Sequence, residues 1–281
     1  MDPVIVDLLR RHGGVIRRAD LFAAGVPDSR IREAVGIGAL VRARRGWYVG
    51  ADAPREAREA ISRGGRLTGR SALRSYGVWM PSAHPLEIRV PANAARLRPE
   101  QTSGALVHWS GELRRPGRYG EDAWRDGPVE ALAVVLSRCD LEEAIVLADS
   151  IIHLGLADGA TVLSTFANAP HRVRAWATLI DGRAEAGGET IARLRLLEVG
   201  IHATPQFRLP GAGPYDLRCG PSCLMEIDGR AHHDDPVAFE RDRAKDLVAR
   251  LWGYDVVRIT YRQLRDDWPA CVAAVRASTG C

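Results

Sequence analysis

The chain has 281 residues, 46% hydrophobic and 26% charged, with a formal net charge of +4. That length suffices for two or three domains, each with its own core. No apolar run approaches about 18 residues, which argues against a transmembrane helix, and the opening MDPVIVDLLRRHGG lacks the small-residue cleavage site of a secretory signal. Five cysteines in no framework spacing point to reduced thiols and a cytoplasmic setting. Lys245 is the sole lysine; the basic side is otherwise arginine, whose planar fork suits partners that carry phosphates.

Residues 3 to 50 read as one unit. Val4, Ile5, Leu8 and Leu9 recur at helical spacing until Gly13-Gly14. Arg18 to Ala24 gives a second helix stopped by Gly25. Pro27-Asp28-Ser29 starts a third, with Ile31, Ala34 and Val35 expected inward and Arg30, Arg32 and Glu33 outward. Leu40 to Val49 alternates as a hairpin turning near Arg45-Gly46. Three short helices and a hairpin make a winged helix-turn-helix, in which the third helix enters the major groove and the wing touches backbone. Arg30 and Arg32 are then expected at bases or phosphates, and Arg42, Arg44 and Arg45 at phosphates. Trp47 and Tyr48 are expected to pack the wing onto its core. In sequence and order these residues resemble the N-terminal domain of AbiEi-type antitoxins.

From 51 to 184 the pattern is mixed α/β. Pro54 to Arg63 reads as a polar helix, and Thr68 to Leu73 begins another. Leu86–Val90 and Ala105–Trp109 alternate like strands. Helical spacing follows over 128–137, 141–154, 160–167 and 171–180, with Asp140 and Asp158 at N-cap positions. His84, His108, His153 and His171 stand isolated, so no catalytic constellation is expected here. The region resembles the part that follows the winged helix in AbiEi-like proteins and reads as a connector between reader and effector.

The third unit, 185–281, opens with Gly187-Gly188. Glu189 follows in the first turn of a helix whose apolar stripe is Ile191, Leu194 and Leu197. After a candidate strand at 206–209, Asp216 to Asp228 folds about Gly220-Pro221-Ser222. Symmetric pairing sets Cys219 against Cys223, Leu217 against Met225 and Asp216 against Glu226. Period-2 alternation then collects Asp216, Glu226 and Asp228 on one face, where like charges repel unless a cation compensates them. His232-His233 follows closely. The group reads as a divalent-metal site, with a solvated acidic face as the plain alternative. Zinc held by Cys219, Cys223 and His232 or His233 is the rival metal, weakened because the same register turns both cysteines toward the core. An amphipathic helix over 237–251, with Phe239, Leu247, Val248 and Leu251 inward, a buried strand over 255–260 and a final helix over 268–276 complete a small mixed sheet with helices on both faces.

Asp216, the run Met225 to His233, Phe239 to Asp246 and Trp252 to Ile259 together resemble the Vsr-like domain of unknown function. That family is related to the very-short-patch mismatch endonucleases of the PD-(D/E)XK superfamily. The resemblance implies a restriction-endonuclease-like α/β/α core, and hence a multi-domain α/β chain. It implies that Asp216 and Glu226 bind metal with help from Glu189, and that His233 (or His232) assists catalysis. Asp228 stands where the superfamily has lysine; Lys245 and Arg241, four residues apart on one helical face, are then expected at the scissile phosphate. The implied cofactor is Mg²⁺ or Mn²⁺, which favours carboxylate oxygens, orients water and neutralises charge on the phosphate. Two functions follow: a metal-dependent DNA endonuclease placed by its winged helix, or a DNA-binding regulator of the antitoxin kind with a degenerate nuclease fold and an unknown toxin partner.

Overall fold

The structure is a computed structural model that describes residues 2–92, 103–110, 123–228 and 236–279, without the side chains of 110 and 236–242. The chain divides into two compact units, 1–77 with 82–138 and 78–81 with 139–281.

In the first unit, helix α1 (Pro3–Arg11) starts at Asp2, whose Oδ1 accepts from the Val4 amide at 2.9 Å. Strand β1 (Val15–Arg17), α2 (Arg18–Ala23), α3 (Asp28–Gly36) and the wing strands β2 (Val41–Arg44) and β3 (Trp47–Val49) follow. The sheet order is β1-β3-β2, so β1, which the sequence pattern does not announce, completes the wing from the other side of β3. Gly46 turns the wing at φ 81°, a conformation that costs glycine almost nothing. The core of this module is Ile5, Ile16, Leu21, Val26, Ile31, Ala34, Leu40 and Tyr48. Val35, expected inward, is instead exposed (38%), because Ile31 and Ala34 already fill the inward stripe of α3.

Behind the module, α4 (Arg55–Ser62) buries Ala57, Ala60 and Ile61. Strands β4 (Arg66–Leu67), β5 (Leu86–Pro91) and β6 (Ala105–Ser110) form a second sheet, joined by α5 (Gly69–Ser75) and α6 (Pro128–Leu136). The register places Arg66, Arg89 and His108 side by side across it. Such a row is tolerated because two buried carboxylates serve it. Asp126 accepts from Arg89 Nε at 2.6 Å and pairs with Arg66 at 2.7 Å. Glu87 pairs with Arg70 at 2.8 Å and His108 at 3.1 Å. Burial pushes the Glu87 carboxyl up, but hydrogen bonds from His108 and Arg70 outweigh it and hold the carboxyl below its ordinary range. His108 is therefore not isolated: it belongs to a structural ion-pair network whose members lie far apart in sequence. Gly69 sits against this network; a Cβ there would fall 2.0 Å from Glu87 Oε2.

In the second unit, α7 (Leu141–His153) and α8 (Gly159–Ala167) begin at Asp140 and Asp158, which accept from Glu143 N at 2.9 Å and Thr161 N at 2.7 Å. A short α9 (His171–Arg174) and a 3₁₀ turn (Ala175–Leu179) replace the single expected helix. Then come α10 (Gly187–Glu198), β7 (Ala203–Leu209), β8 (Gly213–Cys219), β9 (Cys223–Asp228), α11 (Pro236–Leu251), β10 (Asp255–Thr260), α12 (Tyr261–Asp266) and α13 (Trp268–Thr279).

The sheet order is β10-β9-β8-β7, antiparallel except for the parallel pair β9/β10. One core, with Leu217, Cys219, Cys223, Met225 and Ile259, packs against α10, α12 and α13. The other, with Leu209, Tyr215 and Leu224, packs against Ala249 and Val248 of α11. A mixed sheet between helices is thus what forms. Three details depart from the sequence pattern. Leu196 rather than Leu197 joins the core of α10. Leu247 (65%) and Leu251 (87%) of α11 are exposed, since Val248 and Ala249 face the sheet instead. Strand β10 lies at the sheet edge and buries only Ile259 fully.

Candidate functional site

Two places carry the residues singled out by sequence. On the winged helix, Arg30 and Arg32 lie exposed on α3 and Arg42, Arg44 and Arg45 exposed on the wing. Arg30 pairs with Glu33 at 3.0 Å, and both side chains are more than half exposed. Arg32 Nε reaches Asp28 O at 3.4 Å. Among the described residues no ion pair engages Arg42, Arg44 or Arg45, which leaves them available to an incoming anion. Tyr48 is buried in the module core, as expected of a wing anchor.

The second place lies in the mixed sheet. The hairpin register is the symmetric one: Leu217 opposes Met225, Arg218 opposes Leu224 and Cys219 opposes Cys223. Both cysteines are fully buried in the apolar core, away from the acids. Cys139 and Cys271 are likewise buried and outside any disulfide. Beyond Leu217 a side chain carries the pairing on, with Asp216 Oδ2 accepting from Ile227 N at 2.7 Å. Asp216 thereby sits where β8 and β9 part, between Glu189 of α10 and Glu226 of β9.

Glu189 is only 3% exposed. Its Oε1 closes the start of α10 by accepting from Ala186 N at 3.0 Å; its Oε2 accepts from Glu185 N at 3.2 Å and Gln206 Nε2 at 3.0 Å. Burial dominates its titration, and the Asp216 charge adds to it, so the carboxyl rises to about 7 despite these donors. Glu226 rises to about 6, by burial first, opposed by the hydrogen bond from Lys245 and reinforced by Asp216. Asp216 is itself raised, by burial and then by Asp228 and Glu185, while Ile227 N and Lys245 draw it down. The five acids thus form one electrostatic group, although Glu189 comes from a different element from the hairpin.

Lys245 of α11 donates to Glu226 Oε1 and lies 4.0 Å from the Tyr215 ring centroid; the Tyr215 hydroxyl donates back to Lys245 O at 2.8 Å. The sole lysine is therefore inside the site, bonded to an acid. Asp228 is exposed at the strand end. His232 and His233 lie outside the described residues, as does the side chain of Arg241.

Carboxylate oxygens are the donors a hard divalent cation prefers, and mutual repulsion among these acids would be relieved by one. Among the described residues, however, no three His, Cys, Asp or Glu side chains stand as a preformed metal cage. The chemistry of the set fits a cation; its present hydrogen bonds engage both oxygens of Glu189 and one each of Asp216 and Glu226.

Sequence reasoning missed two contributors. Gln206, the strand residue between Pro205 and Phe207, has φ 53°, the left-handed region that costs a non-glycine residue about 1 kcal/mol or more. Asp149 of α7 is buried beneath the site. It accepts from Asp181 N at 2.7 Å, Thr190 Oγ1 at 3.0 Å and Arg193 Nη2 at 3.0 Å, fixing the helix that carries Glu189. A backbone outlier leaves no trace in hydropathy, and Asp149 reads as an ordinary polar position of a helix.

Residues 3–49 match a family model described as "Transcriptional regulator, AbiEi antitoxin". That match covers β1, β2, β3 and α1 to α3, the whole winged helix. No curated protein matches the chain. The family match ends at Val49 and says nothing of the mixed sheet.

Among the described residues, no helix is long and apolar enough to cross a membrane.

Proposed function

We propose that the protein is a DNA-binding transcriptional regulator of the AbiEi antitoxin kind, which docks its winged helix on duplex DNA. The observation that carries this reading is the coincidence of the family match, 3–49, with a complete winged helix. On that module Arg30 and Arg32 project from the third helix and Arg42, Arg44 and Arg45 from the wing. The third helix supplies base or phosphate contacts in the major groove, and the wing neutralises backbone phosphates. A toxin encoded beside it would be the partner. Mobility-shift titration with the protein's own upstream DNA tests this: binding should exceed that to unrelated duplex and weaken on Arg30→Ala. Equal affinity for every duplex, unchanged by Arg30→Ala, would contradict it.

A second reading has its own observation. Glu189, Asp216 and Glu226 come together from a helix and two strands, with raised carboxyls and Lys245 beside them. A regulator has no need of such a costly group. In this reading the mixed sheet is a DNA endonuclease. Asp216 and Glu226, with Glu189, would hold Mg²⁺ or Mn²⁺, which supplies charge neutralisation and an acidified water. Lys245, released from Glu226, would face the phosphate. Asp228 would stay at the rim, and His233 would serve as proton donor or acceptor. Incubation with supercoiled, linear and mismatched DNA plus Mg²⁺ or Mn²⁺, beside Asp216→Ala and Glu226→Ala, decides it. Cleavage lost in both variants supports the enzyme; no cleavage by the native chain leaves the regulator alone.

A further inference from the structure

Gln206 is the one non-glycine residue with positive φ among the described residues; every other such position is a glycine. At its level both β7 and β8 pass from one face of the sheet to the other, with Tyr215 on the face opposite Leu217 and Cys219. Ala203 packs with Leu217 and Cys219 on one side of the sheet, whereas Phe207 and Leu209 pack with Tyr215 on the other. Simple alternation would keep residues 203, 207 and 209 on one face, so the chain crosses from one layer to the other at 206. Pro205 opposes Leu217 and Phe207 opposes Tyr215, which sets Gln206 level with Asp216.

The crossing alone does not explain the residue. Glycine makes a left-handed turn without steric cost, and it holds all the other left-handed positions among the described residues. A glutamine kept there contributes something that glycine lacks. Its amide supplies it: Nε2 donates to Glu189 Oε2 at 3.0 Å.

We propose that Gln206 is a positioning residue whose left-handed backbone turns its amide onto Glu189 and holds that carboxylate beside Asp216. The inference rests on the second, endonuclease reading for its purpose, but its geometry does not depend on it. In that reading Gln206 orients a ligand to the metal without touching metal or substrate, as partners behind metal ligands commonly do.

The test uses the full-length protein with Gln206→Gly, which accepts the backbone and loses the amide, and Gln206→Met, which keeps the bulk and loses the donor. Three quantities are read: the unfolding transition, the position of the Glu189 carboxylate in crystal structures of both variants, and Mn²⁺ affinity by calorimetry. Gln206→Gly should still fold cooperatively, because glycine accepts the left-handed backbone without strain. In both variants the Glu189 carboxylate should leave its place, and Mn²⁺ should bind about tenfold more weakly. A Glu189 carboxylate that stays in place in both variants overturns the proposal. If the native protein binds no Mn²⁺, the metal reading fails, and the Glu189 position in the variants still decides the role of Gln206.

Discussion

The winged helix and the carboxylate site handle charge in opposite ways. On the winged helix, hydrocarbon fills the core and every candidate DNA-binding arginine stays in water, where it costs the fold little. In the mixed sheet, Glu189 is almost fully buried and Asp216 and Glu226 half-buried, so the site is held together by specific hydrogen bonds and opposes its own ionisation. Residues that wait in solvent for a partner can be replaced without harm to the fold. Residues buried as ionisable groups are coupled to the fold, so substitutions there change stability, in either direction, before they read out in function.

The largest expected effect separates the two regions most sharply. Asp149→Ala leaves Arg193 buried without its carboxylate and removes an acceptor from Thr190 and Asp181. Breaking a buried pair from one side costs about 3–5 kcal/mol. Chemical denaturation should show the loss in the unit 139–281; a change below about 1 kcal/mol would mean that α10 is held by packing alone.

Glu189 gives the next effect, and its sign follows from linkage. The folded carboxyl titrates at about 7 against an ordinary 4.5. The folded state therefore binds the proton more tightly, and this contribution is full below about pH 4.5 and lost as pH rises through about 7. Glu189→Gln, which keeps most of the shape and carries no charge, should stabilise the protein at pH 8 relative to the native chain by on the order of 3 kcal/mol and have little effect at pH 4. Parallel stability curves for the two proteins across that range would contradict the burial argument. Addition of Mg²⁺ at pH 8 would then stabilise the native chain more than Glu189→Gln if the site takes a cation.

The contrast also decides what could be read from the sequence. The winged helix was legible because its signals are local: Gly25 and Gly46 where turns fall, Ile31 and Ala34 at helical spacing, arginines on the opposite face. The hairpin register was legible too, since the run is nearly symmetric about Pro221 and cross-strand pairing follows from it. Elements that depend on distant partners were not. Strand β1 gains its place only from pairing with β3. The face of α11 could not be fixed from its leucines, because Val248 and Ala249 meet the Tyr215 layer while Leu247 and Leu251 do not. His108 meets a glutamate 21 residues away. At the carboxylate site Asp216, Glu226 and Asp228 are legible from spacing and Glu189 only through the family resemblance, but Gln206 and Asp149 act through backbone geometry and a second helix, neither of which a pattern of residue types encodes. The family resemblance together with helix periodicity puts Lys245 near the phosphate; its bond to Glu226 appears only once α11 lies on the sheet.

The smallest expected effect on stability falls on the wing. Replacing Arg42, Arg44 and Arg45 with alanine should change the unfolding free energy by no more than about 0.5 kcal/mol, as for surface positions without buried partners. Circular dichroism melting of the triple variant checks this, and a large drop would mean that the wing arginines serve the fold.

The same triple variant supplies the most direct test of the central claim, that the winged helix docks on DNA through its arginines. The measurement is the affinity of the full-length protein for its own upstream duplex across a series of salt concentrations. The native chain should show log affinity falling linearly with log salt. The variant should bind more weakly with a shallower slope, reduced by about 0.9 for each phosphate that an arginine no longer neutralises. Identical slopes and affinities for the two proteins would contradict the claim.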